Sequence, residues 1–215
     1  MMDVGELRED PKQVVLDGYA KASHAYRGDT FELEGSGYGY WLARFTPRLA
    51  PGARVLDAGC GNGLPVARAL AGRFDVTGID LSPVQVERAR VLVPEARFVC
   101  GDMTAAAIAP GSFDAIVAFY SVINVPLPEH EPLLRRFSGW LVPGGWLLAV
   151  VGRDPWTGIE ENWRGVRGAR MYYSHAHVAQ YRTWLAGAGL EVVEEGREPK
   201  QGVPGYSVLI ARRGA

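Results

Sequence analysis

The chain has little of what marks secreted, membrane-spanning or metal-binding proteins. It holds only two cysteines, Cys60 and Cys100, too few for a disulfide scaffold and without metal-binding spacing. No apolar run approaches the roughly 20 residues that cross a bilayer. The acidic N-terminal segment lacks the basic and apolar regions of a secretory signal. We therefore expect a cytoplasmic protein without a membrane partner.

Excess basic charge is also absent. The 215 residues carry 23 Lys and Arg against 24 Asp and Glu, for a formal net charge of −1, and no dense basic run offers a phosphate-binding surface. His175 and His177 have no cluster of carboxylates or cysteines beside them, so we expect no metal site. These features predict a small-molecule substrate and no nucleic-acid partner, and they indicate no oligomeric state.

The main positive signal is an apolar strand that runs into an acid and alternating glycines. The segment is Val55-Leu56-Asp57-Ala58-Gly59-Cys60-Gly61-Asn62-Gly63. Glycine lets the backbone turn with positive φ and lets a ligand approach the main chain. Asp57 falls at the carboxyl end of the strand, where open α/β sheets bind ligands. The segment predicts a site for a nucleotide-like cofactor.

Two further strands end in an acid. Asp80 closes the segment 74–80 and Asp102 follows the segment 96–101. Either acid alone would more often be a helix cap or a turn residue. Because three successive strands deliver a carboxylate to the same edge, we expect one binding site, in which Asp80 can accept from both hydroxyls of a ribose.

With these motifs the chain resembles the class I S-adenosylmethionine-dependent methyltransferases from about residue 50 to about residue 152. The segments 113–119 and 141–148 are similar to the family's fourth strand and to the turn before its fifth. The resemblance implies S-adenosylmethionine as the cofactor, with its methionine part at the glycine loop, its ribose on Asp80 and its adenine amino group near Asp102. Expected cofactor contacts are Asp57, Gly59, Gly61, Asp80, Leu81, Asp102, Met103, Phe119 and Tyr26.

A dinucleotide-binding loop is the alternative, since it also places glycines after a strand and an acid about 20 residues later. Here the glycines follow G-x-G-x-G, and Leu64 stands where the third glycine of that fingerprint is needed for helix packing. The spacing disfavours a nicotinamide or flavin cofactor.

The alternation of predicted elements indicates an α/β fold. We expect a doubly wound, Rossmann-like sheet with helices on both faces, mostly parallel, with the antiparallel last strand that the resemblance implies. Predicted helices span 11–26, 40–49, 64–72, 83–92, 129–140 and 175–186, the last capped by Ser174. After the strand at Val55, predicted strands span 74–79, 96–100, 113–119, 145–151, 190–195 and 205–212. We expect one domain over 1–215, with a helical cap (1–50), a cofactor-binding core (51–152), an irregular aromatic lid (153–173), and a last helix with sheet-completing strands (174–215).

The acceptor site should lie beyond the fourth and fifth strands. His130 is the candidate general base, although a lone histidine at a helix start is often a surface residue. Many members of the resembled branch have histidine at the position of Asn124, and asparagine can orient an acceptor but cannot take a proton. The expected substrate contacts, several of which could instead be core residues, are Tyr19, Tyr120, Asn124, Trp156, Trp163, Tyr172 and Tyr173.

The function implied is methyl transfer, by in-line displacement, to a small aromatic or partly apolar metabolite. Such transfer depends mainly on positioning, so a base is optional. Two alternatives stay open: a regulatory module that binds the cofactor without transfer, and an enzyme of another reaction type, such as a cyclase. An open aromatic cavity would favour the enzyme, whereas a cavity filled by Trp156 and Trp163 would favour the binding module.

Overall fold

The computed structural model describes residues 9–198 and 205–215. Its helices are α1 (Pro11–Tyr26), α2 (Gly37–Phe45), α3 (Val66–Ala71), α4 (Pro83–Leu92), α5 (His130–Trp140) and α6 (Val178–Gly187). Its strands are β1 (Arg54–Ala58), β2 (Asp75–Asp80), β3 (Arg97–Cys100), β4 (Phe113–Ala118), β5 (Leu141–Val151), β6 (Trp156–Glu161), β7 (Arg170–His175), β8 (Leu190–Arg197) and β9 (Ser207–Arg213).

Seven strands form one sheet in the order β3-β2-β1-β4-β5-β9-β8. The pairs among β3, β2, β1, β4 and β5 are parallel, whereas β9 runs antiparallel to both β5 and β8. One face is covered by an apolar layer that includes Phe45, Leu70 and Val86, and the other by a layer that includes Leu133 and Tyr181. The predicted doubly wound sheet with an antiparallel last strand is confirmed.

The first helix packs on a separate β6–β7 hairpin. Val14 and Val15 of α1 share an apolar cluster with Trp163 and Met171. Gly18 permits the contact, because a Cβ there would lie 2.1 Å from the carbonyl oxygen of Arg170. This contact makes α1 and the hairpin a common cover over the sheet's carboxyl edge.

The α1 helix is also joined to the core through α4. Arg88 donates from Nη1 to Ser23 Oγ at 2.6 Å and from Nη2 to the Arg27 carbonyl at 2.7 Å. Ser23 donates in turn to Gln85 Oε1 at 2.6 Å. These hydrogen bonds hold the C-terminal end of α1 beside the glycine loop.

The prediction of an irregular segment at 153–173 is wrong. The strands β6 and β7 pair antiparallel, from Trp156 opposite His175 to Glu161 opposite Arg170. Their connection contains Asn162 at φ 52° and glycines at positive φ. Each strand is short and rich in residues that also occur in loops, so the pairing depends on packing against α1.

Two helix starts also differ from the predictions. Ser174 does not cap α6, because its Oγ lies 2.8 Å from Thr157 Oγ1 across the hairpin; α6 begins at Val178, where the side chain of His177 accepts from the Ala179 amide at 3.2 Å. The α2 helix begins at Gly37 because Ser36 Oγ accepts from the Gly39 amide at 3.1 Å. The observed caps are therefore His177 for α6 and Ser36 for α2.

Within residues 9–198 and 205–215, none of the helices is both long and apolar enough to traverse a bilayer.

Candidate functional site

A cavity opens beyond the carboxyl ends of the central strands. It lies where strand order reverses between β1 and β4, the usual ligand position in doubly wound sheets. The predicted cofactor contacts all line it, namely Asp57, Gly59, Gly61, Asp80, Leu81, Asp102, Met103, Phe119 and Tyr26. We call this the cofactor cavity.

The glycine loop forms one wall of the cofactor cavity. Gly59 adopts φ +78°, and a Cβ at this position would lie 2.1 Å from the Cβ of Ser121. The amides of Gly59 and Cys60 donate to the Ile79 carbonyl at 2.8 and 3.1 Å. The loop therefore lies close against both neighbouring strand ends, and no side chain at Gly59 could be accommodated there.

One carboxyl oxygen of Asp57, Oδ2, is a buried acceptor that lacks a partner among the described residues. Asp57 is only 1% exposed, and its Oδ2 accepts no hydrogen bond from the described part of the chain. Burial, and then the charge of Asp80, raise the pKa of Asp57 to about 8. An unsatisfied buried acceptor is costly, so this carboxyl fits a ligand that carries a cation or N–H donors, as S-adenosylmethionine does.

Asp80 is held in place by two backbone amides. Oδ1 accepts from Ser82 N at 2.9 Å and Oδ2 accepts from Gly61 N at 2.8 Å. Burial raises the pKa of Asp80, and these two amides oppose the increase. Because a carboxylate can accept about four hydrogen bonds, capacity remains for two ligand hydroxyls.

Asp102 forms part of a polar cluster with α1. Lys12 Nζ donates to Asp102 Oδ2 at 2.7 Å, to Thr104 Oγ1 at 2.8 Å and to Glu129 Oε2 at 2.6 Å. Burial disfavours the charge of Asp102, but hydrogen bonds from Lys12 and Thr104 lower its pKa overall. Lys12 was not predicted as a site residue, because no local motif connects it with an acid 90 residues away.

A second cavity adjoins the cofactor cavity, and we call it the acceptor cavity because most of the predicted substrate contacts line it. The residues common to both walls are Tyr19, Tyr26, Tyr38, Tyr120 and Asn124. Trp163 and Tyr173 of the hairpin region complete its aromatic lining. Of the predicted substrate contacts, Tyr19, Tyr120, Asn124, Trp163 and Tyr173 line this acceptor cavity.

The aromatic walls of the acceptor cavity are packed against one another. Tyr26 stacks on Trp163 with ring centroids 5.1 Å apart and planes at 24°, and Trp163 Nε1 donates to the Tyr173 hydroxyl at 3.0 Å. Asn124 Nδ2 donates to the Tyr172 carbonyl at 2.7 Å, which connects the sheet edge to β7. Trp163 is thus a wall of the cavity and does not fill it.

Two predicted substrate contacts lie elsewhere. Trp156 is 47% exposed and packs beside Tyr173 and His175, outside both cavities. Tyr172 is buried in the cluster with α1 and lines neither cavity. The alternation of side chains along β7 explains the position of Tyr172, since Tyr172 and Tyr173 point to opposite faces of the strand. Trp156 lies opposite His175, at the end of the hairpin remote from its connection.

The prediction of His130 as a general base is not supported by its position. His130 is buried, lines neither cavity, and has its Nε2 2.8 Å from the Val125 carbonyl oxygen and its Nδ1 2.9 Å from the Tyr181 hydroxyl. A carbonyl can only accept, so Nε2 carries the proton and Nδ1 accepts from Tyr181. Burial lowers the pKa of His130 to about 4. The ring is therefore neutral and has no free lone pair for an acceptor.

Several lining residues of the acceptor cavity were missed by sequence reasoning. They are Arg27, Tyr38, Arg164 and Tyr206. Tyr38 lies within the glycine-rich segment 35–39, an unusual composition that could have drawn attention to it. The others lie in segments without a motif and reach the cavity only through the packing of α1, the hairpin and β9. In the described ranges, no group of three or more His, Cys, Asp or Glu residues is arranged to hold a metal ion.

Comparisons with known proteins agree with this site. A family model described as a methyltransferase domain matches residues 55–145. The ubiquinone biosynthesis O-methyltransferase of Xanthomonas axonopodis pv. citri is 33% identical over 189 residues, which cover 82% of this chain and 74% of that protein. The 2-methyl-6-phytyl-1,4-hydroquinone methyltransferase of Synechocystis sp. is 40% identical over 108 residues, which cover 47% of this chain and 33% of that protein.

Solved structures show the same fold. The 1,6-didemethyltoxoflavin-N1-methyltransferase of Burkholderia thailandensis, solved with 1,6-didemethyltoxoflavin and S-adenosylhomocysteine bound, is 21% identical with a TM-score of 0.71, and the match covers 99% of this chain and 94% of that chain. The family match, the length of the first alignment and the shared fold lead to one conclusion. The chain is an S-adenosylmethionine-dependent enzyme that belongs to the class I methyltransferases.

Proposed function

We propose that this enzyme methylates a small aromatic acceptor that binds in the acceptor cavity. The observation that carries the proposal is the shared wall, because Tyr19, Tyr26, Tyr38, Tyr120 and Asn124 line both cavities. A cofactor in one cavity and an acceptor in the other would contact each other at this shared wall. Trp163 lines the acceptor cavity without filling it, which also favours an enzyme over a module that only binds cofactor.

The proposed cofactor contacts follow from the cofactor cavity. Gly59 and Gly61 would hold the methionine part beside the unpartnered oxygen of Asp57, Asp80 would accept from the ribose, and Asp102 would face the adenine amino group. Leu81, Met103, Phe119 and Tyr26 offer the apolar contacts. The unsatisfied Asp57 oxygen and the close backbone approach at Gly59 support this arrangement.

The chemistry required of the chain itself is positioning. The bound cofactor supplies an electrophilic methyl group on a sulfonium. When two reacting groups are held in good alignment, their effective molarity reaches about 10⁵ to 10⁸ M, so orienting the acceptor toward this methyl group can provide most of the rate enhancement. The ring walls around Tyr26 and Trp163 restrict a flat acceptor to few orientations, and α1 and the hairpin exclude water from the contact.

No carboxyl or imidazole side chain appears among the described residues that line the acceptor cavity. The phenols there do not replace a base, because burial raises the pKa of Tyr19 and of Tyr38 well above the usual value. They are hydrogen-bond donors at neutral pH. The acceptor atom must therefore bring its own available lone pair.

The names of relatives support a small acceptor. Those names refer to ubiquinone biosynthesis, a hydroquinone and trans-aconitate. For this chain we propose a metabolite and no nucleic acid, because the net charge of −1 offers no phosphate-binding surface. We also propose a single domain, with 9–50 and 153–173 closing over the core, while residues 1–8 of the predicted cap lie outside the described residues. A cytoplasmic location remains a prediction.

A methyl-transfer screen tests the proposed function. Purified protein with labelled S-adenosylmethionine should transfer methyl groups to at least one member of a panel of phenols, indoles and amines. Tyr120→Ala should reduce that transfer, whereas Tyr40→Ala, which changes an exposed tyrosine outside both cavities, should not. Robust transfer to tRNA or to a protein tail, with none to the panel, would overturn the proposal.

A further inference from the structure

Two arginines converge on the acceptor cavity without a carboxylate partner. Arg27 and Arg164 both line it, and each guanidinium carbon lies 5.3 Å from the centroid of the Tyr26 ring. Within residues 9–198 and 205–215, neither arginine forms an ion pair, although arginines such as Arg88 and Arg182 do. An anion bound in the cavity would be attracted by both guanidinium groups.

Arg27 has hydrogen-bonding capacity that the described residues leave unused. Its Nη2 donates to the Tyr38 hydroxyl at 3.0 Å, while its buried Nε has no acceptor in the described part of the chain. Its guanidinium lies 4.5 Å from the centroid of the Phe31 ring, which holds the plane in one orientation. A fixed guanidinium with free donors is suited to a planar anion.

Arg164 is held at the cavity by a strained backbone. It adopts φ 55° and ψ 28°, a left-handed conformation that costs a non-glycine residue energy. Such strain persists where the surrounding structure requires it, and here it places the guanidinium 5.6 Å from the Trp163 centroid.

Two acidic residues lie near the acceptor cavity but do not line it. Burial first, and then the charge of Glu160, raise the pKa of Tyr173, while Arg164 opposes the increase. The charge of Glu198 likewise raises the pKa of Tyr38, but contributes less than burial does. Neither acid lines the acceptor cavity, so the charges at its wall are those of Arg27 and Arg164 among the described residues.

We infer that the methyl acceptor is an aromatic acid whose anionic group is held by Arg27 and Arg164 while its ring packs against Tyr26 and Trp163. The inference rests on the proposed function, because it specifies the occupant of the same cavity.

An equilibrium binding experiment tests this inference independently of methyl transfer. In the presence of S-adenosylhomocysteine, the protein is titrated with matched acids and amides: para-hydroxybenzoate against para-hydroxybenzamide, and indole-3-carboxylate against indole-3-carboxamide. The acids should bind at least about tenfold more tightly, as expected for charge-assisted hydrogen bonds. No turnover is measured, so a failed transfer screen and a failed charge preference are distinguishable.

Variants assign the preference to the arginines. Arg164→Gln or Arg27→Gln should reduce the acid preference about tenfold, while Arg164→Lys, which keeps the charge but loses the planar fork, should retain part of it. Arg167→Gln is the matched control, because Arg167 is exposed in the same connection and lines neither cavity. If Arg27→Gln does not fold, the Arg164 pair decides the matter. Amides that bind as tightly as acids, no binding of either class, or a preference that survives in both Gln variants would overturn the inference.

Discussion

Lys12 of the first helix and Asp102 after β3 form an ion pair with Nζ 2.7 Å from Oδ2. Both side chains are largely shielded, at 24% and 26% exposed, and Nζ also contacts Glu129 at 2.6 Å. The pair joins α1 to the end of the cofactor cavity where adenine would lie. The position of α1 therefore affects the charge of Asp102, because the hydrogen bond from Lys12 lowers the pKa of that carboxyl.

Replacing Lys12 should loosen the first helix. In Lys12→Met, Asp102 and Glu129 lose their shared cation, and we expect the free energy of unfolding to fall by about 1 kcal/mol. Amide hydrogen exchange in 11–26 should accelerate, and S-adenosylhomocysteine should slow it less than in the wild type. Lys21→Met is the control, since Lys21 is exposed on the same helix and hydrogen-bonds to the Gly168 carbonyl, away from Asp102 and Glu129. Equal exchange in the two variants would contradict the role of Lys12.

Removing the Asp80 carboxylate should weaken cofactor binding. Asp80→Ala would leave two ribose hydroxyls and two backbone amides unpaired, which should cost about 1 to 3 kcal/mol of binding free energy. Calorimetry with S-adenosylhomocysteine measures the loss. Asp75→Ala, at the exposed start of the same strand, should bind normally. Unchanged affinity in Asp80→Ala would remove Asp80 from the site.

Asp57 should make the stability of the ligand-free protein depend on pH. Its folded pKa of about 8 lies above its usual value of 3.8. A raised carboxyl pKa favours the protonated folded state, so stability should be lost as pH rises from about 4 to about 8. Asp57→Asn should lose less stability over this range. Denaturant unfolding of both proteins at several pH values provides the measurement.

The affinity for the cofactor should depend on pH in the opposite direction from the stability of the ligand-free protein. A cationic ligand favours the ionised carboxyl, so the affinity for S-adenosylmethionine should increase as pH rises toward about 8 and should be flatter in Asp57→Asn. Parallel curves for the two proteins would show that Asp57 does not titrate in this range.

A methyl group at Gly18 should separate α1 from the hairpin. The added Cβ would lie 2.1 Å from the Arg170 carbonyl oxygen, so Gly18→Ala should destabilise the fold by about 1 to 3 kcal/mol despite alanine's better helix propensity. Gly28→Ala is the matched control, because a Cβ there meets nothing within 4 Å. A Gly18→Ala protein as stable as the wild type in denaturant unfolding would refute the tight contact.

His130 should affect stability and leave the pH profile of catalysis unchanged. In His130→Gln, the buried Val125 carbonyl and Tyr181 hydroxyl lose well-placed partners, at a cost of about 1 to 3 kcal/mol. Once an acceptor is known, kcat/KM measured against pH should keep its shape in this variant and in Tyr181→Phe. Loss of a titration step in His130→Gln alone would restore the histidine as a base.

The cofactor side of the molecule was predictable because its signals are local. The segment 55–63 combines a strand, an acid and alternating glycines within nine residues, and Asp80 and Asp102 repeat the pattern of an acid at a strand end. Each signal depends on backbone geometry that neighbouring residues decide. The parallel sheet then brings the strand ends together, because crossover helices return every strand in the same direction.

The acceptor side was decided by tertiary structure. Trp156 and Trp163 are both aromatic residues of one predicted lid, yet one lies outside the cavities and the other forms a wall, because hairpin pairing and packing against α1 place them differently. Lys12, Arg27 and Arg164 reach the site from segments distant in sequence. Sequence by itself determined the fold class, the cofactor loop and its three acids, since short-range backbone preferences and strand periodicity encode them. Only the packing of α1 and the hairpin over the sheet edge decided which rings and charges meet the acceptor, because those contacts are long-range.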